Sequence, residues 1–101
     1  MSIDIDHLPV TNNRDRGRYE VRLDDQLGRI DYILDEGLVT FTHAEVPPAL
    51  QGQGIAQRMA RTALEDARQE GLAVRSLCSF VSWYINQHPE YQPLLRKEGV
   101  A

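Results

Sequence analysis

A chain of 101 residues with 42% hydrophobic side chains, 26% charged side chains and a formal charge of −4 is sized for one domain with a real core, and its composition is not that of a disordered segment. Mild acidity without a basic run argues against nucleic acid or an anionic membrane as the main partner. The single cysteine, Cys78, forbids an internal disulfide. With no charged-then-apolar leader over residues 1–10 and no apolar run near the ~20 residues that span a bilayer, a reducing, cytoplasmic setting is expected.

Residues 1–17 are polar and turn-prone, with a short strand over residues 8–12 the one regular element expected there. Arg18–Leu23 alternates, placing Tyr19, Val21 and Leu23 on one face of a half-buried strand. Asp24-Asp25-Gln26 supplies a turn, residues 27–34 the next strand, and Asp35-Glu36-Gly37 a second turn with glycine available for positive φ. A third strand over residues 38–46 is stopped by Pro47-Pro48. Residues 52–70 then switch to helical spacing, with Ile55, Met59, Ala63 and Ala67 recurring every four residues. Gly71 stands where a helix C-terminal glycine is expected, with Leu72 as its apolar companion. A buried strand over residues 72–78, a helix over Ser79–Gln87 and a last helical turn from Pro89 complete the chain. Strand, helix, strand in succession predicts a parallel return by a right-handed crossover. The expected architecture is α/β: a three-strand antiparallel meander, a long helix, a parallel fourth strand and short C-terminal helices, all in one domain spanning residues 1–101.

The segment Gln51-Gly52-Gln53-Gly54-Ile55-Ala56 joins the third strand to the long helix. Free backbone N–H groups and the helix dipole hold a phosphate at such a terminus, and glycines allow close approach. No Gly-Lys-Ser/Thr ends the loop, so it is not a P-loop. Gln57 occupies the place of the third small residue of a dinucleotide fingerprint. On spacing alone a phosphate cradle and a plain strand-to-helix turn are equally good readings.

Gln51, Gly54 and Ala56 match the pattern Gln/Arg-x-x-Gly-x-Gly/Ala of the GNAT acetyltransferase superfamily. The chain resembles its minimal, single-domain members through Ile30-Asp31-Tyr32, Thr42-His43-Ala44-Glu45-Val46, Gly52-Gln53-Gly54-Ile55-Ala56, and Cys78-Ser79-Phe80-Val81 with Tyr84-Ile85 and His88-Pro89-Glu90-Tyr91. The resemblance covers roughly residues 18–95. It implies a sheet splayed between the third and fourth long strands, with the pantetheine arm of acetyl-CoA along the edge carrying Thr42, Ala44 and Val46. It places the pyrophosphate on the N–H groups of Gln51, Gly52, Gln53, Gly54, Ile55 and Ala56, and suggests a contact from His88 to coenzyme A. The final strand pair of larger family members, which helps form the acceptor site, has no counterpart in the sequence.

Acetyl transfer needs an acceptor without its proton, a polarised carbonyl and a proton for the leaving thiolate. Period two groups Val39, Phe41, His43 and Glu45 on one strand face, a pattern that expects this face to open into a cleft. His43 suits a general base near neutral pH, a role the resemblance also favours; a strand-end histidine is the alternative. Glu45 could act through a water or be a solvated carboxylate. Cys78 is an acyl-accepting nucleophile by the resemblance, or a small buried core residue. Tyr84 could protonate the coenzyme A sulfur, but Phe80, Trp83 and Tyr84 read first as a face covering the sheet. His88 reads first as a helix-cap neighbour. No spacing of histidines with Cys78 suggests a metal.

The expected activity is acetyl-CoA-dependent transfer to an amine, by direct attack assisted by His43 or through Cys78. A coenzyme A-binding module without turnover is the alternative. The acceptor is open, as is the choice between monomer and homodimer.

Overall fold

The computed structural model describes residues 8–96. It has five strands, β1 (Thr11–Asn13), β2 (Arg18–Leu23), β3 (Gln26–Asp35), β4 (Leu38–Glu45) and β5 (Ala73–Ser76), with helix α1 (Ile55–Gln69) between β4 and β5 and helix α2 (Ser79–Gln87) after β5, and 3-10 turns cover Pro48–Leu50 and Pro89–Leu94. The strands form one sheet in the order β1-β2-β3-β4-β5. Neighbours are antiparallel except β4 and β5, which run parallel across the α1 crossover. The mixed α/β architecture is the one expected, enlarged by a paired first strand.

That first strand lies at 11–13 rather than 8–12, with Thr11 opposite Glu20 and Asn13 opposite Arg18. Pro9 has no N–H for a ladder. Asn13 instead fixes the turn after it, its side-chain oxygen accepting the Arg16 N–H at 3.3 Å. The β3–β4 hairpin turns at Glu36 and Gly37, both at positive φ (49° and 79°), the geometry of a two-residue turn matched to strand twist.

Tyr19, Val21, Ile30, Tyr32, Val39 and Phe41 are buried beneath the helices. α1 presents Ile55, Met59, Ala60, Ala63, Leu64 and Ala67 to them, a stripe at the expected spacing. Its N-terminal half packs on β3 at Gly28, where a Cβ would come into van der Waals contact, 3.4 Å from Met59 Cε and 3.5 Å from Ile55 Cγ2. The helix closes as the sequence predicts. Gly71 takes φ +70°, its N–H bonds Arg68 O at 3.3 Å and that of Leu72 bonds Ala67 O at 2.9 Å, the paired bonds of a Schellman cap. Because Leu72 closes that cap and Cys78 caps α2 in extended conformation (φ −103°, ψ 123°), β5 is shorter than the expected strand over 72–78.

Two expectations are overturned. In β4, His43 pairs with Asp31 but Phe41 pairs with Tyr32, so Thr42 is an extra residue, a β-bulge. Its hydroxyl donates to Asp31 O at 3.4 Å. The bulge reverses the alternation: Val39 and Phe41 are buried, Ala44 and Val46 pack against the core, and His43 and Glu45 are exposed. These four residues, Val39, Phe41, His43 and Glu45, therefore do not share a face. Nor does Trp83 cover the sheet. α2 turns Val81, Tyr84 and Ile85 inward and leaves Trp83 46% exposed, because positions 81, 84 and 85 share a helical stripe and 83 lies off it.

Three phenols tie separate elements together. Tyr32 donates to Asn12 Oδ1 at 2.6 Å, Tyr19 to Asp66 Oδ2 at 2.9 Å and Tyr91 to Glu65 Oε2 at 2.7 Å. Burial, reinforced by the carboxylate partner, pushes Tyr19 and Tyr91 well above the ordinary phenol pKa.

Candidate functional site

β4 and β5 pair from Leu38–Ala73 to Phe41–Ser76, and the Leu77 N–H adds a bond to Phe41 O at 2.9 Å. Past that point β4 continues along β3 to Glu45, while the other chain turns at Cys78 into α2. The sheet is split there. Beyond Phe41, Thr42, His43, Ala44 and Glu45 lie on a β4 edge with no strand beside it among the described residues, and Cys78 stands buried at the base of α2.

The glycine loop closes the wide end of the split. Pro47 and Pro48 start a 3-10 turn, with Leu50 N–H to Pro47 O at 2.9 Å and Gln51 N–H to Pro48 O at 3.3 Å. The Gln51 side chain folds back and donates to Val46 O at 2.9 Å, holding the loop to the end of the strand, and that of Gln53 donates to Ala49 O at 3.3 Å. Gly52 and Gly54 take φ +79° and +78°, conformations that disfavour side chains with a Cβ. A Cβ at Gly52 would meet nothing within 4 Å, and one at Gly54 only Gln57 Oε1 at 3.9 Å. Backbone conformation, not crowding, requires both glycines.

Gly54 is the N-cap of α1, no side chain caps the helix, and its first turn holds no acid. The N–H groups of Ile55, Ala56 and Gln57 have no partner within the helix. They adjoin a depression of ≈ 300 Å³ that Val46, Leu50, Gly52 and Gly54 also line. Helix dipole and open donors together favour an anion there, so the residues present fit a pyrophosphate.

The candidate chemical groups lie in different settings. His43 is exposed and its Nε2 lies 3.4 Å from Glu45 Oε2. Glu45 also accepts from Arg29 Nη1 at 2.9 Å, and the Arg29 Nε donates to Asp31 at 3.1 Å. The hydrogen bond from Arg29, with a smaller one from His43, holds the Glu45 carboxyl below the usual carboxylate range. Cys78 is 6% exposed within the core cluster. The imidazole is thus exposed and meets Glu45, while the thiol lies in the core.

Tyr84 is buried, and burial raises its phenol. His88 stacks on it, centroids 4.0 Å apart at 19°, with Nδ1 2.9 Å from Tyr84 O. A carbonyl only accepts, so Nδ1 carries the proton and the outer nitrogen of a neutral ring is left as an acceptor. Both rings line a groove of ≈ 340 Å³ between α1 and α2, together with Gly54, Gln57, Arg58, Arg61 and Trp83. Sequence reasoning singled out neither arginine as a site residue. Their one signal was spacing, since Gly54, Arg58 and Arg61 recur at i, i+4 and i+7 on one side of α1. Among the described residues, no group of three or more His, Cys, Asp and Glu side chains converges as metal ligands would.

Comparison with known proteins agrees with this geometry. Residues 18–94 match the family model of the GCN5-related N-acetyltransferases. Protein NATD1 of Mus musculus is 31% identical over 92 residues, which is 88% of this chain and 84% of that protein. Protein NATD1 of Homo sapiens is likewise 31% identical over 92 residues, with coverage of 88% and 81%. The NMR solution structure of a GCN5-like protein from Staphylococcus aureus superposes with a TM-score of 0.69 at 22% identity, covering 91% of this chain and 93% of that one; at that identity it speaks for the fold. From its split sheet to its glycine-flanked helix, the chain belongs to the GCN5-related N-acetyltransferase family.

Proposed function

We propose that this protein binds acetyl-CoA and transfers the acetyl group to an amine on its acceptor by direct attack. The observation that carries the reading is the split between β4 and β5 opening beside an uncapped helix N-terminus whose flanking glycines sit at positive φ. Backbone N–H groups of Ile55, Ala56 and Gln57 hold the pyrophosphate, and the β4 edge carrying Thr42, Ala44 and Val46 receives the pantetheine arm. Bound acetyl-CoA supplies a carbonyl activated as a thioester.

His43 takes the proton that the amine sheds as its nitrogen bonds to the carbonyl carbon. The C–S bond breaks, and the departing thiolate takes a proton from solvent. Glu45 is a poor base because the hydrogen bond from Arg29 lowers its affinity for a proton; it steadies the imidazole at Nε2. Enclosure of Cys78 in the core, away from a histidine committed to Glu45, favours direct attack over an acyl-cysteine. Tyr84, buried and stacked under His88, supports the groove wall.

Calorimetry with acetyl-CoA, thiol release with a panel of amines, and mass spectrometry of the protein after mixing test this reading. Binding, amine-dependent release and retained turnover in Cys78→Ser are expected, with turnover lost in His43→Gln. An acetyl adduct on Cys78 whose removal abolishes turnover would assign the cysteine route. Binding without product from any amine would make the protein a coenzyme A-binding module. No binding would discard the reading.

A further inference from the structure

We propose that the groove between α1 and α2 takes the adenosine end of coenzyme A, with Trp83 against the adenine and Arg61 selecting the 3′-phosphate. This rests on the cofactor reading above and assigns a determinant of cofactor choice.

The glycine-loop depression and the groove share Gly54 and Gln57 in their walls, so one ligand lies across both. α1 rises about 1.5 Å per residue, which sets Arg61 roughly 10 Å along the helix from the N-cap. A group joined to a pyrophosphate at the helix N-terminus thus passes Arg58 and reaches Arg61.

Charge marks this wall out. The chain has 15 acidic and 11 basic Asp, Glu, Lys and Arg side chains, yet the groove is lined by two arginines and a histidine and by no carboxylate. On its other side Arg61 adjoins a depression that holds Glu65 and Glu90; its charge acts on Glu65, but that carboxylate is hydrogen-bonded by Tyr91 and Arg68. Arg61 is exposed and has no ion-pair partner among the described residues. Arg58 is partly occupied, its Nε donating to Leu8 O at 3.4 Å. A terminal phosphate would complete Arg61 with charge-assisted hydrogen bonds. Beside it Trp83 stands 46% exposed, with its ring 5.7 Å from that of Phe80. A half-bare indole on the wall of an ion-lined groove is a stacking surface for a base.

Trp83 is the only tryptophan in the chain, so its fluorescence reports on this groove alone. Calorimetry and fluorescence titrations would use CoA, dephospho-CoA and phosphopantetheine with wild type, Arg61→Gln and Arg22→Gln, the last an exposed β2 residue serving as a charge control. CoA and dephospho-CoA should quench Trp83 and phosphopantetheine should bind without quenching. Wild type should favour CoA over dephospho-CoA about tenfold, one charge-assisted contact's worth. Arg61→Gln should bring that ratio near one without weakening dephospho-CoA, and Arg22→Gln should leave it unchanged. Equal affinity for the two in wild type, or a ratio indifferent to Arg61→Gln, overturns the phosphate assignment. CoA binding without quenching overturns the adenine assignment while leaving the pyrophosphate reading intact. No binding of CoA at all overturns that reading and this one together.

Discussion

Leu77 donates its backbone N–H to Phe41 O at 2.9 Å, and beyond this bond β4 and β5 separate. β4 continues along β3 to Glu45, with a bulge at Thr42, while the chain of β5 leaves the sheet at the helix cap Cys78. With that chain turned into α2, the edge of β4 beyond Phe41 has no strand beside it among the described residues. The separation is built into the local backbone.

The glycine loop should be sensitive to the smallest side chain. Gly54→Ala introduces no clash, because the site is open, but a Cβ at φ +78° costs about 1–2 kcal/mol. Denaturant unfolding should show that loss. Calorimetry should show weaker acetyl-CoA binding, since relaxing φ turns the first N–H groups of α1 away from the depression.

Roles along β4 should separate kinetically. His43→Gln should lower kcat/KM by about 10²–10⁴-fold, the usual contribution of a general base, while Glu45→Gln should lower it less than tenfold. Because Arg29 first and His43 second hold the Glu45 carboxyl low, Arg29→Gln should raise its titration toward the ordinary range in a carboxyl NMR experiment. Equal losses in the His43 and Glu45 variants would refute this division of labour.

Gly28 and Met59 should be coupled. Gly28→Ala places a methyl in van der Waals contact with Met59 Cε at 3.4 Å and should change stability by less than about 1 kcal/mol, since the strand gains by losing a glycine and the methionine tip is free to adjust. Met59→Ala, at a fully buried position, should cost about 2–5 kcal/mol. In the double variant the added methyl enters the space the methionine leaves. Its total should therefore fall short of the sum of the single losses, and a sum that is simply additive would show that the two side chains do not share that space.

Tyr91 and Glu65 should shape stability at both ends of the pH scale. The Tyr91 hydrogen bond, ahead of that from Arg68, holds Glu65 below its ordinary value. Its contribution is therefore present above the unfolded carboxylate range and lost as pH falls through the lowered value. Burial and the Glu65 bond raise Tyr91, so its contribution is full below about pH 10 and lost as pH rises further. Tyr91→Phe should lower Tm at neutral pH and flatten the Tm profile on both limbs. The alkaline limb should persist in part, because Tyr19 is raised in the same sense by burial and Asp66.

Much of this molecule is legible in its residues taken in order. Apolar spacing marks the buried stripe of α1, Gly71 and Leu72 mark its cap, and α2 occupies the expected Ser79–Gln87. The glycines of residues 51–56 mark a strand-to-helix loop open to close approach, while their positive φ emerges only in the structure. These are short-range properties, decided by neighbours three or four residues away. The faces of β4 were not legible, because one unpaired residue at Thr42 reverses the alternation after it and that residue is chosen by the pairing partner on β3.

The sequence by itself therefore determined the elements, their order and the chemistry available near the loop. Only the tertiary structure decided which of those groups meet. It set His43 beside Glu45 on the exposed face, enclosed Cys78 in the core, and docked α2 so that Trp83 and His88 oppose Arg61 across a groove. Helical and strand periods arise from the geometry of one segment, whereas these meetings arise from packing between segments far apart in the chain.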